Sequence, residues 1–174
     1  MKIIPLTRGL VARVDDEDFA ALAAHRWVAK PMRTKAREAY YAARKGQDGE
    51  PGTVYMHRAI MAAAPGQMVD HADRDSLNNQ RANLRFCTPT LNLANSIRIN
   101  ASGFRGVSFD KSRAHQRKPW GVFIQKDGRS RLVGRFETPE EAARAYDGAA
   151  TNLFGSFAQL NFPPPANDDA EAAA

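Results

Sequence analysis

The segment "ETPEEAARAYDGAATNLFG", Glu137 to Gly155, constrains the fold more strongly than any other part of the chain. Thr138 suits the N-cap, Pro139 suits the first helical position, and Glu141 lies three residues after Thr138, which completes a capping box. Gly155 is a typical helix stop. One apolar stripe recurs at helical spacing, formed by Ala142, Tyr146, Ala149, Ala150 and Leu153. The segment therefore predicts a capped, amphipathic helix.

Three strand-like runs, "FRGVSF", "WGVFIQK" and "SRLVGRF", precede this helix. An Asp-Gly turn in "KDGR" joins the second run to the third. The small alanines of the helix allow it to lie close to a sheet. Residues 103–163 are therefore predicted to form a three-stranded antiparallel sheet packed on one helix. The polar residues 96–102 are interpreted as a linker, and residues 164–174 as a disordered tail.

The N-terminal half has short, mixed elements, so the predicted fold class is α+β. "KIIPL" and "GLVARV" are interpreted as strands, and "DDEDFAALAAHRW" as a helix capped by Asp15 or Asp16. "EAYYAARKGQDGEPGTVYM" predicts a hairpin with a polar loop at Gly46–Gly52. Val54 and Met56 alternate on its second strand. A helix is expected to start in "RAIMAAA".

The net charge of the chain is +6, which favours a polyanionic partner such as nucleic acid. A solvated basic surface is the alternative. Cys87 is the single cysteine, which excludes an intramolecular disulfide and a zinc site with several cysteines. We expect Cys87 to be a small buried apolar group rather than a nucleophile. Without a membrane-length apolar run or a signal-peptide pattern, the protein is expected to be intracellular, with no membrane partner.

The stretch "VDHADRDSLNNQRANLRFCTPTLNLAN" combines an Asp-His pair with five asparagines. "MVDHAD" and "NLRFC" are interpreted as antiparallel strands, and Thr88-Pro89 as the start of a helix that contains Asn92. A carboxylate and an amide oxygen suit Mg²⁺, and a neighbouring imidazole can deprotonate a water. Adjacent strand residues point to opposite faces, so Asp70 and His71 require a strand that ends or bends there. The alternative is an asparagine-rich loop with a lone histidine.

Other residues of this stretch are expected to be structural. Asn95 is expected to support the site or to end the helix. Predicted turn residues are Asp73, Asp75, Asn78 and Asn79, and predicted core residues are Leu84, Phe86 and Leu91.

The pattern "DH…N…N" in a strand–strand–helix frame resembles the HNH endonucleases with a ββα-metal fold, especially the phage and intron-borne homing endonucleases. The resemblance implies that His71 is the general base and that Asp70 and Asn92 bind the metal. It also implies that Asn83, grouped with the catalytic residues, steadies the hairpin. The cofactor would be Mg²⁺, with Mn²⁺ as an alternative.

The resemblance places an endonuclease domain at residues 1–95, with its ββα-metal core at 54–95. "VYMHRAIM" resembles the segment that precedes the motif in such proteins. His57 and Arg58 are therefore expected near the DNA backbone, with a packing role for His57 equally open.

The C-terminal half is basic on its predicted sheet, with nine Lys or Arg and two Asp between Phe104 and Arg135. "RGV", "GRFETPEEAARAYDGAA" and "LNFP" resemble the Apetala-type DNA-binding domain of plant ethylene-response factors. In that family the sheet lies in the major groove. Ser108 and Leu132 stand where plant members place arginine and tryptophan. The residues expected to contact DNA are Arg58, Arg105, Lys118, Trp120, Lys126, Arg129 and Arg131, with Arg105 as a base contact.

Together these patterns predict a metal-dependent HNH endonuclease of homing or nicking type, which hydrolyses phosphodiester bonds in duplex DNA. The resemblance implies 3′-hydroxyl and 5′-phosphate ends and the cytoplasm of a bacterial or phage-infected host. A monomer is expected off DNA. The alternatives are a sequence-specific transcription regulator with an inactive nuclease domain, and an RNA-binding protein.

Overall fold

The computed structural model describes residues 1–33, 38–47, 49–96 and 100–164. The chain divides into two compact units, Met1–Pro89 and Thr90–Ala174. Both combine helices with small antiparallel sheets. The domain boundaries predicted at residues 95 and 103 stay predictions. The predicted linker lies in part, and the predicted tail almost wholly, outside the described residues.

The first unit contains seven strands and two helices among its described residues. In chain order they are β1 (Lys2–Pro5), β2 (Val11–Val14), α1 (Asp16–Ala23), β3 (Val28–Arg33), β4 (Glu38–Lys45), β5 (Thr53–Tyr55), α2 (Met56–Ile60), β6 (Met68–His71) and β7 (Leu84–Cys87). β1 pairs with β2, β3–β4–β5 form a second sheet, and β6 pairs with β7, all antiparallel. A single core joins them, centred on Val14, Trp27, Met56 and Leu84.

Most predicted elements of this unit are confirmed, and two differ. The strand β3 was not predicted, because "WVAKPMR" contains Pro31 and proline is unfavourable inside a strand. β3 is an edge strand of its sheet, where proline is tolerated. Met56 was expected on a strand, but it is the first residue of α2 and is fully buried. Cys87 is half-buried at the end of β7, and burial raises the pKa of its thiol.

The second unit holds α3 (Pro89–Ala94), which starts at the last residue of the first unit, and a three-stranded sheet beneath a long helix. The sheet consists of β8 (Val107–Phe109), β9 (Trp120–Lys126) and β10 (Arg129–Phe136), and the helix is α4 (Pro139–Phe154). The order is β10–β9–β8. The predicted capping box of Thr138 and Glu141 is confirmed, and Gly155 ends the helix.

Gly106 fixes how closely β8 approaches α4. Its φ is +71°, and a Cβ atom there would lie 2.1 Å from the Tyr146 ring. Only glycine fits this position, which explains the middle residue of the "RGV" motif. Among the described residues, no helix has the length and apolar character that crossing a membrane requires.

Candidate active site and nucleic-acid interface

The strand β6 ends at His71, so the proposed pair of Asp70 and His71 lies where regular strand geometry stops. Both side chains are buried. In the register with β7, Asp70 faces Arg85 and His71 faces Leu84. The strand end is the condition under which neighbouring residues can approach one site.

Asp70 and Arg85 form a buried ion pair across the β6–β7 hairpin. Asp70 Oδ2 accepts hydrogen bonds from Arg85 Nη2 (2.9 Å) and Nε (3.1 Å). A carboxylate offers about four acceptor positions on its two oxygens. A divalent cation bound by Asp70 would therefore share this carboxylate with the guanidinium.

His71 is oriented by a buried amide. Its Nε2–H donates to Asn79 Oδ1 at 3.3 Å, and Asn79 has 0% exposed surface. A neutral imidazole that donates from Nε2 carries its basic lone pair on Nδ1. Burial lowers the pKa of His71, opposed by the Asn79 bond and by nearby aspartates. The ring is thus neutral at pH 7 and able to accept a proton.

Asn79 was expected to be a turn residue, and the structure corrects that prediction. Its backbone N–H donates to Arg13 O (2.8 Å), and Arg13 N–H donates to Leu77 O (2.9 Å). The loop that carries Asn79 is therefore held by β2, more than sixty residues away in sequence. Sequence spacing did not predict this role, because Asn79 is held in place by Arg13, which is distant along the chain.

The start of α1 holds the same loop from a second side. Asp15 accepts hydrogen bonds from Gln80 Nε2 (3.0 Å) and from the Arg81 backbone N–H (2.7 Å), which lower the pKa of Asp15. Arg81 also pairs with Asp18 at 2.7 Å. Asp15 precedes the helix as expected, but its carboxylate bonds to the loop rather than to the helix N-terminus.

Asn83 ties the hairpin together. Its Nδ2 donates to Asp73 Oδ1 (2.9 Å) and Asn78 O (2.8 Å), and its Oδ1 accepts from the Asp73 N–H (2.9 Å). Burial would raise the pKa of Asp73, but hydrogen bonds from Asn78, the Asp75 backbone and Asn83 lower it. Asn83 therefore holds the loop before β7, and the catalytic grouping that the resemblance implies for it stays a prediction.

His57 packs against His71, with ring centroids 5.1 Å apart. Burial lowers the pKa of His57 to about 3, helped by His71 and Arg58. The buried His57 Nδ1 and Asn79 Nδ2 have no hydrogen-bond partner among the described residues. Buried polar atoms without a hydrogen-bond partner are rare in native proteins.

Arg58 contacts the turn after α2. Its Nη2 donates to Ala64 O (2.9 Å) and Ala63 O (3.3 Å), and its Nη1 donates to Gln67 O. These carbonyl contacts give Arg58 a structural role. Its predicted contact with the DNA backbone stays a prediction.

Asn92 lies in α3, within the second unit. Its neighbours Leu91 and Ala94 pack into the core beneath α4, and Asn95 is buried directly after the helix. Asp70 and His71 lie in the first unit, so the set of Asp70, His71 and Asn92 stays a proposal. In the described part of the chain, no group of three or more His, Cys, Asp or Glu could hold a metal. A metal site formed by one carboxylate and one amide, as proposed for Asp70 and Asn92, is a different kind of site.

Arg105 makes internal contacts instead of facing outward. Its Nε donates to Tyr146 Oη (2.6 Å), its Nη2 to Leu93 O (3.1 Å), and its Nη1 to Ser96 O. The guanidinium also lies 6.0 Å from the Tyr146 ring. Arg105 therefore fixes the end of α3 against α4. Its predicted base contact is not supported by these bonds.

The register separates the two faces of the C-terminal sheet. Val122 and Ile124 are buried against α4, and Trp120 packs partly on the same core beside Phe109. Arg131 pairs with Ile124, so it shares the helix-facing side at the exposed hairpin end. The open face carries Ser108, Gly121, Phe123, Gln125, Ser130, Leu132 and Arg135.

Four of the predicted DNA contacts are exposed, and Trp120 is half-buried on the helix side. The exposed four are Lys118, Lys126, Arg129 and Arg131. They lie in the β8–β9 loop and around the β9–β10 turn. These basic residues thus form a rim, and the open face itself carries Arg135 among uncharged residues.

Comparison with known proteins finds relatives of two kinds. No family model matches the chain. A protein of Acanthamoeba polyphaga mimivirus, named an uncharacterized HNH endonuclease, is 33% identical over 128 residues, which cover 67% of this chain. An ethylene-responsive transcription factor of Arabidopsis thaliana is 34% identical over 111 residues, or 59% of this chain. Another from Nicotiana tabacum is 41% identical over 71 residues, which cover 38% of this chain and 31% of the tobacco protein.

The chain is homologous to both groups. The resemblance to an HNH endonuclease joined to an Apetala-type domain is thereby confirmed. The chain spans 64% of the length of each of the first two relatives. Their names point to nuclease action and to DNA binding.

Proposed function

We propose that this protein is a metal-dependent DNA endonuclease, in which the first unit cuts or nicks and the second binds duplex DNA. The observation that carries the proposal is the buried contact between His71 and Asn79 at the end of β6. It orients a neutral imidazole for general-base work, which contributes roughly 10²–10⁴-fold to a reaction. The mimivirus relative, named an HNH endonuclease, supports the same reaction class.

His71 Nδ1 would take the proton of the attacking water while Nε2 stays bound to Asn79 Oδ1. The hydrogen bonds of Asn83 hold the loop that carries Asn79. Asn79 and Asn83 thus act through His71 rather than on the substrate. We retain the ββα-metal site that the sequence predicts as part of this proposal.

Asp70 and Asn92 would hold the divalent cation, Mg²⁺ or Mn²⁺. Their carboxylate and amide oxygens are hard donors, the chemistry that Mg²⁺ prefers. When bound, such an ion stabilises the developing charge on the phosphate and the leaving oxygen. Arg85 keeps the Asp70 carboxylate in place and balances its charge.

Relaxation of supercoiled plasmid in the presence of Mg²⁺ or Mn²⁺ tests the proposal. Wild type is expected to nick the plasmid, and His71→Ala is expected to lose at least 10²-fold in rate. His115→Ala is the matched control, because His115 is an exposed histidine in the second unit. A wild type that binds DNA but never relaxes plasmid would contradict the enzyme proposal.

The second candidate is a DNA-binding regulator without nuclease activity. The relatives named ethylene-responsive transcription factors favour it. In either case the open face of the C-terminal sheet would lie on DNA, with Lys118, Lys126, Arg129 and Arg131 contacting phosphates. Tight, salt-dependent binding without cleavage is the outcome that favours this candidate.

A further inference from the structure

The sheet β3–β4–β5 has one face in the core of the first unit. Ala29 and Ala42 are buried there, and Tyr40 and Val54 pack partly against the same core. Strand residues alternate between faces, so the residues between these belong to the opposite side.

That opposite side, called here the tyrosine face, carries Lys30, Tyr41, Lys45, Thr53 and Tyr55. The register pairs Lys30 with Tyr41 and Lys45 with Thr53, and cross-strand partners share a face. Lys30, Tyr41, Thr53 and Tyr55 are half-buried, and Lys45 is exposed. The tyrosine face therefore combines these polar, aromatic and cationic side chains with the apolar Val28, Met32, Ala39 and the buried Ala43.

The tyrosine face continues into the proposed active site through a series of ring contacts. Lys30 Nζ lies 5.3 Å from the Tyr55 ring centroid and donates to Thr53 Oγ1 at 3.1 Å. The rings of Tyr55 and Tyr41 are 6.2 Å apart, and those of Tyr41 and His71 are 6.0 Å apart. A molecule whose phosphate reaches His71 would meet these rings next.

The chemistry of this face suits a nucleic-acid strand. Aromatic side chains stack on bases and sugars without sequence preference, and lysines contact phosphates. Two lysines beside two tyrosines on a sheet surface give both kinds of contact.

We infer that the tyrosine face binds the DNA strand next to the scissile phosphate, as a second DNA surface separate from the C-terminal sheet. Lys30 and Lys45 contact phosphates, and Tyr41 and Tyr55 contact the sugar or base. This inference rests on the proposed nuclease function, because His71 is what directs the strand to this side of the unit.

Salt dependence of binding tests the lysines. The full chain is titrated with a short duplex of random sequence in EDTA, and log K is plotted against log salt concentration. Lys30→Ala and Lys45→Ala are each expected to lower the slope by about 0.9, the value for one phosphate contact. Lys2→Ala is the matched control, because Lys2 Nζ lies 5.5 Å from the Phe19 ring centroid in the same unit. Slopes equal to wild type in both test variants would overturn the inference.

Cross-linking provides a second measurement that needs no substitution. DNA containing 5-iodouracil is bound by the wild-type chain, irradiated and mapped by mass spectrometry. Cross-links at Tyr41 or Tyr55 are expected. Cross-links confined to the second unit would overturn the inference, even where Lys30→Ala fails to fold.

The two proposals fail in different ways. A wild type that relaxes plasmid, with unchanged slopes in both lysine variants and no cross-link at either tyrosine, counts against the tyrosine face alone. A wild type that never relaxes plasmid, but shows the slope changes and cross-links, counts against the nuclease and retains the DNA surface.

Discussion

Asn79 Oδ1 accepts a hydrogen bond from Nε2 of His71 inside the first unit, at 3.3 Å. Asn79→Leu removes that acceptor while keeping a side chain of similar size, and it leaves the buried Nε2–H without a partner. We expect plasmid relaxation to slow by roughly 10-fold to 100-fold, less than loss of the base itself. DNA affinity, measured in EDTA, is expected to stay unchanged.

Asn79→Asp is the conservative comparison for the same position, because it keeps an acceptor oxygen toward His71. It is expected to retain more activity than Asn79→Leu. If the two variants lose activity equally while remaining folded, Asn79 does not act by orienting the ring.

Acid should destabilise the first unit through His57. Its pKa falls from the ordinary 6.5 to about 3 in the folded state because of burial. The unfolded state therefore binds a proton first, so stability is full above pH 6.5 and decreases as the pH falls toward 3. The decrease is at most about 1.4 kcal/mol per pH unit for one group. Urea denaturation between pH 7 and pH 5 measures it.

His57→Phe removes that titration and preserves a ring of similar size. The variant should lose stability less steeply than wild type over this pH range. His115→Phe changes an exposed histidine and should behave as wild type. Identical slopes for His57→Phe and wild type would contradict the assignment.

Gly106→Ala should damage the second unit. The added Cβ would lie 2.1 Å from the Tyr146 ring at a φ of +71°. We expect a loss of roughly 2–5 kcal/mol from backbone strain and overpacking. Gly128→Ala is the matched control, since its φ is +75° with nothing within 4 Å, and about 1–2 kcal/mol is expected. Thermal denaturation compares them, and equal losses would argue against the close approach to Tyr146.

Arg105→Lys separates a structural arginine from one that reads DNA. Lysine cannot reproduce the bonds to Tyr146 and Leu93 together, so we expect a loss of roughly 1–3 kcal/mol in stability. The salt slope of DNA binding should stay the same. Arg131→Ala should do the opposite, lowering the slope by about 0.9 with little change in stability. A loss of DNA affinity or of sequence discrimination at constant salt for Arg105→Lys in a stable protein would restore the base contact, because lysine keeps the charge but not the bidentate geometry.

Local patterns in the sequence predicted most of the secondary structure. The capping box at Thr138, the hairpins and the stop at Gly155 depend on neighbouring residues, and spacing reveals them. Pro31 obscured β3, because a strand that tolerates proline is recognised by its place at a sheet edge. Whether a strand lies at a sheet edge depends on the rest of the fold.

The candidate site was predicted less completely. The sequence pattern grouped Asp70, His71 and Asn92, and the resemblance added Asn83, but Asn79 became important only through burial and its bond to β2. The register shift between Leu132 and Gly134 likewise decides which sheet residues share a face, and the sequence contains no local sign of it. Contacts between distant segments set both features.

The hydrogen bonds that join β2 and the start of α1 to the loop before β7 limit how far the protein can be truncated from its N-terminus. A fragment cut at residue 54 would keep every residue of the HNH motif, yet it would lack Arg13, Asp15 and Asp18. His71 would remain in this fragment, but Asn79 would lose the backbone hydrogen bond to Arg13 that holds it in place. If the proposed nuclease function holds, the smallest active fragment therefore begins upstream of β2, well before the HNH motif.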